Sequence, residues 1–232
     1  MESTRRVLVL INSKSGPGWS FTAMRREMDR CWDVDGVDLS YQFCQSVQDG
    51  IAKTRRAVDG GVDTILVAGG DGTVSTVGRV LVGSPVSLGV IPVGSWNGFA
   101  RHFGIPLSPG KAVEALAHAR TARSDVGVAN GIPFLVTCSM AWDAAIVKSF
   151  EKLPVRGILP YVLAGVTEFL EHKAQAFEVE LDAREPLSFP DPMVFTVANL
   201  TQYGGGARIA PHARADDGCA QMAGRPALEW TQ

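Results

Sequence analysis

A chain of 232 residues, 46% hydrophobic and 20% charged, has apolar content for one large core or two modest ones in ordinary globular proportion. Its formal net charge of −2 excludes a broad basic field, so sequence-wide attraction to nucleic acid or anionic lipid is not indicated. Cys31, Cys44, Cys138 and Cys219 form no CxxC pair, which argues against a zinc ribbon, a redox dithiol or a disulfide scaffold and fits a reducing, cytoplasmic setting.

The opening "MESTRRVLVLIN" holds an apolar run too short for a signal-peptide core or a bilayer span, and no later segment is long enough to span. Residues 7–12 form an unbroken aliphatic run that ends in Asn12 and a Ser/Gly/Pro cluster, the pattern of a strand buried on both faces. A helix is expected over 20–32, a strand over 38–45, and a helix over 49–60 closed by Gly60 and Gly61. A strand over 63–68, a helix over 73–82, a strand over 87–93 and a helix over 108–120 complete the alternation. That order implies a parallel sheet layered with helices, with ligands bound beyond the carboxyl ends of the strands. Loops 12–18, 69–73 and 92–97 all fall there.

After about residue 124 the pattern changes, and a domain boundary is expected at that point, dividing 1–124 from 125–232. "DVGVANGIPFLVTCSMAW" reads as two strands around a tight Asn-Gly turn. Apolar spacing from Leu159 to Leu170 predicts one helix, and "FEVELD" and "MVFTVANL" return to strand character. The fold class is thus α/β with a β-rich second part.

"LVAGGDGTVSTV", residues 66–77, places glycines between a strand and a helix. Backbone N–H groups bind phosphate oxygens, glycines allow close approach, and the following helix contributes its positive end. Asp71 is the odd member, because a carboxylate repels phosphates unless Mg²⁺ intervenes or a substrate proton is being taken. A plain βα turn in which Asp71 caps the helix is the competing reading. No GxxxxGK[ST] occurs and the dinucleotide spacing lacks its third glycine, which disfavours P-loop and Rossmann sites. "NSKSGPG" and "PVGSWNG" carry similar chemistry at other strand ends, with the Asn12 and Asn97 amides and the Ser95 hydroxyl.

With "INSKSGPG", "VAGGDGTVSTV", "GVIPVGSWNGFARHFGIP", "SDVGVANGIPF" and "VANLTQYGGGARIAPHARADDG", the chain resembles the diacylglycerol kinase catalytic family, which includes bacterial lipid kinases and sphingosine kinases. The resemblance runs to about residue 218. It implies an α/β domain that binds ATP, a β-rich domain that closes the cleft, and a lipid hydroxyl that attacks the γ-phosphate. It implies Asn12, Gly69, Gly70, Asp71, Gly72, Thr73, Ser95 and Asn97 as holders of ATP and Mg²⁺, and Asp217, in the late Asp-Asp-Gly, as a metal ligand. It further implies transient membrane-surface contact, a peripheral cytoplasmic location and no nucleic-acid partner. The oligomeric state stays open, a dimer being one option.

Ser95 stands where the family usually has Thr, and Ser75 and Thr76 stand where many members have Asn and Glu. The family's Asp-Gly-Glu, whose aspartate is the favoured general base, has no counterpart: Asp-Gly occurs at 35, 49, 59, 71 and 217, none followed by Glu. The ending "CAQMAGRPALEWTQ" shows no strand alternation, so a truncated or frame-altered chain with uncovered second-domain edges is expected. Loss of a positioned base costs about 10²- to 10⁴-fold, with Asp71 as a substitute base. An NAD kinase-type enzyme and a non-catalytic nucleotide-binding remnant are the rival readings.

His102, His118, His172 and His212 are isolated and read as surface or satisfied core residues. Arg101 either reaches phosphate or closes a helix end. Phe99 and Phe103, four apart, read as core. Trp96 either stacks on a ligand or packs beneath its loop, and "YGGG" marks close backbone approach or a β-bulge.

Overall fold

The computed structural model describes residues 4–15, 19–141, 176–182, 184–190, 192–204 and 206–226. The first half alternates β1 (Arg5–Asn12), α1 (Phe21–Trp32), β2 (Val37–Cys44), α2 (Val47–Asp59), β3 (Thr64–Gly69), α3 (Asp71–Leu81), β4 (Ser87–Pro92), α4 (Gly98–His102) and α5 (Pro109–Ala117). The strands pair in the order β2-β1-β3-β4, all parallel.

The unbroken aliphatic runs are explained by helices on both faces of the sheet. Val7, Val9 and Ile11 of β1 pack with Met24, Met28 and Trp32 of α1 and with Val113 of α5. The alternate residues Leu8 and Leu10 join Val74, Val77 and Leu81 of α3 on the other face. Serines start the first two helices: Ser20 Oγ accepts from Ala23 N at 3.3 Å and Ser46 Oγ from Asp49 N at 3.1 Å, which satisfies first-turn donors. Helix α3 starts at Asp71, two residues before the expected start, so its first turn lies inside the glycine loop.

The chain runs from β1 outward to β2 and then returns to β3 on the other side of β1. The loops after β1 and β3 therefore diverge, leaving a crevice at the carboxyl edge, the place where open α/β sheets bind ligands.

The second half contains β5 (Gly127–Ala129), β6 (Ile132–Phe134), β7 (Thr137–Ala141), β8 (Phe177–Val179), β9 (Leu187–Phe189), β10 (Pro192–Ala198), β11 (Gln202–Gly204), β12 (Ala207–Arg208) and β13 (Gln221–Pro226). Strands β5 and β6 form the hairpin that Asn130-Gly131 predicts: both residues have positive φ, 48° and 77°, as a type I′ turn requires. The segment expected to give two strands gives three, because the chain breaks at Leu135-Val136. There the Val136 carbonyl accepts from Asn199 N and Leu200 N at 2.9 and 3.2 Å.

Strands β13, β10 and β7 form an antiparallel sheet with β10 in the middle. The ending was expected to carry no strand, and β13 corrects that. Buried β10, with Phe195 1% and Ala198 0% exposed, has backbone groups to satisfy on both sides, and this tertiary demand overrides the weak local propensity of Gln221–Pro226. The pairing ends at Pro192 opposite Pro226, where no further ladder donor is needed. The ladder of β11 with β12 shifts register between Gln202 and Gly204, a bulge within the Tyr-Gly-Gly-Gly segment. The helix expected over 159–170 lies outside the described residues. None of the described helices is long and apolar enough to cross a membrane.

Candidate functional site

Three loops meet at the switch-point crevice. Asn12, the last residue of β1, donates from Nδ2 to Thr73 Oγ1 at 2.8 Å, which bridges the loops after β1 and β3. Its Oδ1 accepts from Lys14 N at 3.0 Å and so turns the chain directly beyond the strand.

The Gly70 carbonyl accepts from Thr73 N and Val74 N at 2.9 and 3.0 Å, closing the first turn of α3. Like any helix start, this leaves the earlier N–H groups directed outward without intrahelical partners. A Cβ on Gly72 would meet nothing within 4 Å, so the loop presents an open face there.

Gly70 and Gly94 bring the second and third loops together. A Cβ on Gly94 would lie 2.4 Å from Gly70 Cα, and one on Gly70 would lie 3.1 Å from Gly94 Cα. These glycines were expected to admit a phosphate; these two instead admit each other's backbone.

Asp71 completes the join. Its Oδ2 accepts from Gly98 N and its Oδ1 from Phe99 N, both at 2.9 Å. The carboxylate thus caps α4, a helix reached through the next βα loop, and not its own helix α3. The capping is real but directed across the site, and each oxygen accepts one N–H.

Asn97 is 9% exposed and sits in the left-handed region at φ 51°, a conformation asparagine tolerates. Its Oδ1 accepts from Gly94 N at 3.1 Å and its Nδ2 donates to Gly94 O at 2.8 Å. The side chain closes its own loop. Ser95, between these two, is half-buried. Arg101 donates from Nε to Trp96 O at 3.0 Å, which ties α4 back to the loop before it. Phe99 is core as expected, whereas Phe103 is 39% exposed and rests its ring 4.7 Å from that of Phe99; it lies past the last turn, where the core face has run out.

The second half reaches the site through α4. His102 Nδ1 accepts from Thr201 N at 3.1 Å and lies 3.0 Å from Thr201 Oγ1. Burial pushes its pKa down, and a ring nitrogen that receives a backbone N–H is unprotonated. Gln202 packs on Gly98, with its Cβ 3.6 Å from the point a Gly98 Cβ would occupy. Sequence reasoning did not single out Gln202 or Lys14; nothing local distinguishes a strand-edge glutamine or an exposed lysine.

Among the described residues, the hydrogen bond of Asp217 is a local one. Its Oδ1 accepts from Cys219 N at 3.0 Å, and neighbouring Gly218 N donates to Asp125 Oδ2 at 2.7 Å. Among the described residues there is no group of three or more His, Cys, Asp or Glu side chains that could hold a metal. Through Cys219 N, Asp217 closes a turn.

A four-stranded parallel sheet with Gly-Gly-Asp-Gly at its switch point, followed by an antiparallel unit, makes this an α/β protein with a β-rich second part. Residues 6–129 match the diacylglycerol kinase catalytic domain, and residues 137–223 match the YegS C-terminal NAD kinase beta sandwich-like domain. The chain belongs to the diacylglycerol kinase catalytic domain family. It is 30% identical over 220 residues to a "Diacylglycerol kinase" of Mycobacterium tuberculosis, covering 92% of this chain and 71% of that one. It is 35% identical over 179 residues to a "Probable lipid kinase YegS-like" of Pseudomonas aeruginosa, covering 74% of this chain and 58% of that one. A crystal structure of a diacylglycerol kinase from Bacillus anthracis shares the fold, with a TM-score of 0.69 at 21% identity over 94% of this chain and 71% of that one.

Proposed function

We propose that this chain binds ATP at the three gathered loops and transfers the γ-phosphoryl group to a lipid hydroxyl. The observation that carries the reading is the convergence of Asn12, Gly70 to Thr73, and Gly94 to Asn97 at the sheet's switch point, in a chain of this family. We place the division between nucleotide-binding and lipid-binding parts near residue 124.

In this reading the first-turn amides of α3 and the open face at Gly72 receive phosphate, and Asn12, Thr73 and Ser95 line the approach. Lys14, exposed two residues beyond Asn12, adds a cation. Gly69, Gly70, Asp71 and Asn97 serve by holding the loops in register. Because Asp71 already caps α4 with both oxygens, it acts as a clasp and not as the general base. The oxygens of Asn12, Thr73 and Ser95 would suit a Mg²⁺ brought with the nucleotide, whose positive charge would offset that of the phosphates.

The acceptor oxygen attacks the γ-phosphorus and forms the new O–P bond. The bond from that phosphorus to the β–γ bridging oxygen breaks, ADP departs, and the hydroxyl proton passes to solvent. The chain would act in the cytoplasm and touch the membrane surface to reach its acceptor.

The test is incubation with γ-labelled ATP and Mg²⁺ and either diacylglycerol-containing vesicles or NAD. Labelled lipid is the expected product. NADP without labelled lipid overturns the reading in favour of an NAD kinase, and thermal stabilisation by Mg·ATP without either product leaves a nucleotide-binding protein.

A further inference from the structure

We propose that Gln202 is a substrate-binding residue whose Oε1 accepts a hydrogen bond from the hydroxyl of the phosphoryl acceptor. The assignment rests on the kinase reading above and extends it to the acceptor side of the site.

Gln202 is 6% exposed, and its Oε1 is buried with no hydrogen-bond partner among the described residues. An acceptor taken out of water without a donor is a net cost to folding, and such groups are rare enough in native structures to require a reason. A leucine of similar size would fill the place without that cost.

The location supplies the reason. Gln202 opens β11 and belongs to the second half, yet it lands on α4 of the first half. A Cβ on Gly98 would lie 3.6 Å from Gln202 Cβ, 3.5 Å from the Gln202 carbonyl oxygen and 3.7 Å from Asp71 Oδ1. Gln202 and Asp71 therefore flank the same residue from opposite halves of the molecule. Three polar side chains at this seam are already matched: Asp71 to Gly98 N and Phe99 N, Asn97 to Gly94, and His102 to Thr201. No described residue donates to Oε1, which leaves the oxygen open to a donor brought by a ligand.

Besides an ordered water, three kinds of ligand group could meet such an oxygen. A cation is disfavoured, because the described residues bring no group of three carboxylate, imidazole or thiol ligands together and one amide oxygen does not hold a hard ion alone. Phosphates at neutral pH carry no donor and would repel Oε1. In the kinase reading, the donor that is brought to the phosphate end of the crevice is the hydroxyl about to be phosphorylated. A neutral amide takes no proton, so the contribution is orientation of the attacking oxygen.

The experiment compares the wild-type chain with Gln202→Leu and, as a second unbranched apolar replacement, Gln202→Met. Three quantities are measured: the unfolding midpoint without ligand, Mg·ATP affinity by calorimetry, and binding to vesicles containing either diacylglycerol or its hydroxyl-capped acetyl ester. Expected are an unfolding midpoint at or above wild type, unchanged nucleotide affinity, and loss of about tenfold in the preference for the free hydroxyl. Retention of that preference in both variants overturns the assignment while leaving the kinase reading intact. Loss of Mg·ATP affinity with the preference retained places the amide on the nucleotide and overturns it as well. A wild-type chain with no preference between the two lipids overturns the lipid-acceptor reading and this assignment together.

Discussion

Gly94 meets Gly70 backbone to backbone, so closely that a methyl group on Gly94 would sit 2.4 Å from Gly70 Cα. Two of the three loops are therefore joined through a contact that only the absence of side chains permits. Gly94→Ala is expected to destabilise the protein by about 1–3 kcal/mol through overpacking and to weaken Mg·ATP binding at the same time. Gly72→Ala, whose new methyl meets nothing in the protein, is expected to leave the unfolding midpoint within about 1 kcal/mol of wild type while still impairing nucleotide binding. Chemical denaturation and calorimetry on both variants check the contrast; equal stabilities would contradict it.

Asp71 holds two backbone N–H groups of α4, one on each oxygen. Asp71→Asn keeps the size but replaces one acceptor with a donor that faces an N–H. A loss of about 1.5–3 kcal/mol in unfolding free energy is expected, the range for hydrogen bonds to charged groups. Nucleotide affinity should fall with it, because the loop carrying Ser95 leads into the capped helix. An Asp71→Asn protein with wild-type stability and impaired phosphoryl transfer alone would return the residue to the role of a base.

The Asn12 to Thr73 bond spans the crevice between β1 and β3 at 2.8 Å. Thr73→Val preserves shape and removes the acceptor, leaving the Asn12 amide to find water. About 1 kcal/mol of stability and about tenfold in Mg·ATP affinity are expected to be lost. Titration of the variant with Mg·ATP measures the second figure, and an unchanged affinity would remove Asn12 from the nucleotide site.

His102 gives a pH dependence of defined sign. Its pKa is lowered in the folded protein by burial, and its Nδ1 receives the Thr201 N–H. Between the depressed native value and the unfolded value of roughly 6.5, the unfolded chain binds more protons, so stability rises with pH through that window. The contribution is fully present above the unfolded value and is lost as pH falls toward the native one. His102→Gln offers an acceptor that does not titrate, so its unfolding midpoint should fall less than wild type between about pH 7 and about pH 5. Parallel curves for the two proteins would count against the His102–Thr201 hydrogen bond as the source of the pH dependence.

Much of the first half is legible locally. The run from Val7 to Ile11 is apolar at every position, and only a sheet covered on both faces buries such a run. The serines at 20 and 46 mark helix starts, and Asn130-Gly131 marks a hairpin, because each acts on backbone within a few residues of itself. Glycine, hydroxyl and amide residues placed at strand ends also pointed to the three loops that meet. The direction of Asp71 was not legible, since its partners Gly98 and Phe99 lie in a different βα unit. The strand Gln221–Pro226 was likewise invisible, because its reason for being extended is the buried backbone of β10.

The sequence by itself determined the alternation of strands and helices, the burial of both sheet faces and the chemistry carried by each loop, for all of these follow from side-chain periodicity and local backbone preference. Only the tertiary structure decided that Gly70 and Gly94 press together, that Asp71 caps α4, and that Gln202 arrives from the other half with an oxygen unmatched among the described residues. Those outcomes depend on which distant groups the packed chain brings within hydrogen-bonding or contact distance, and pattern along the chain does not encode that distance.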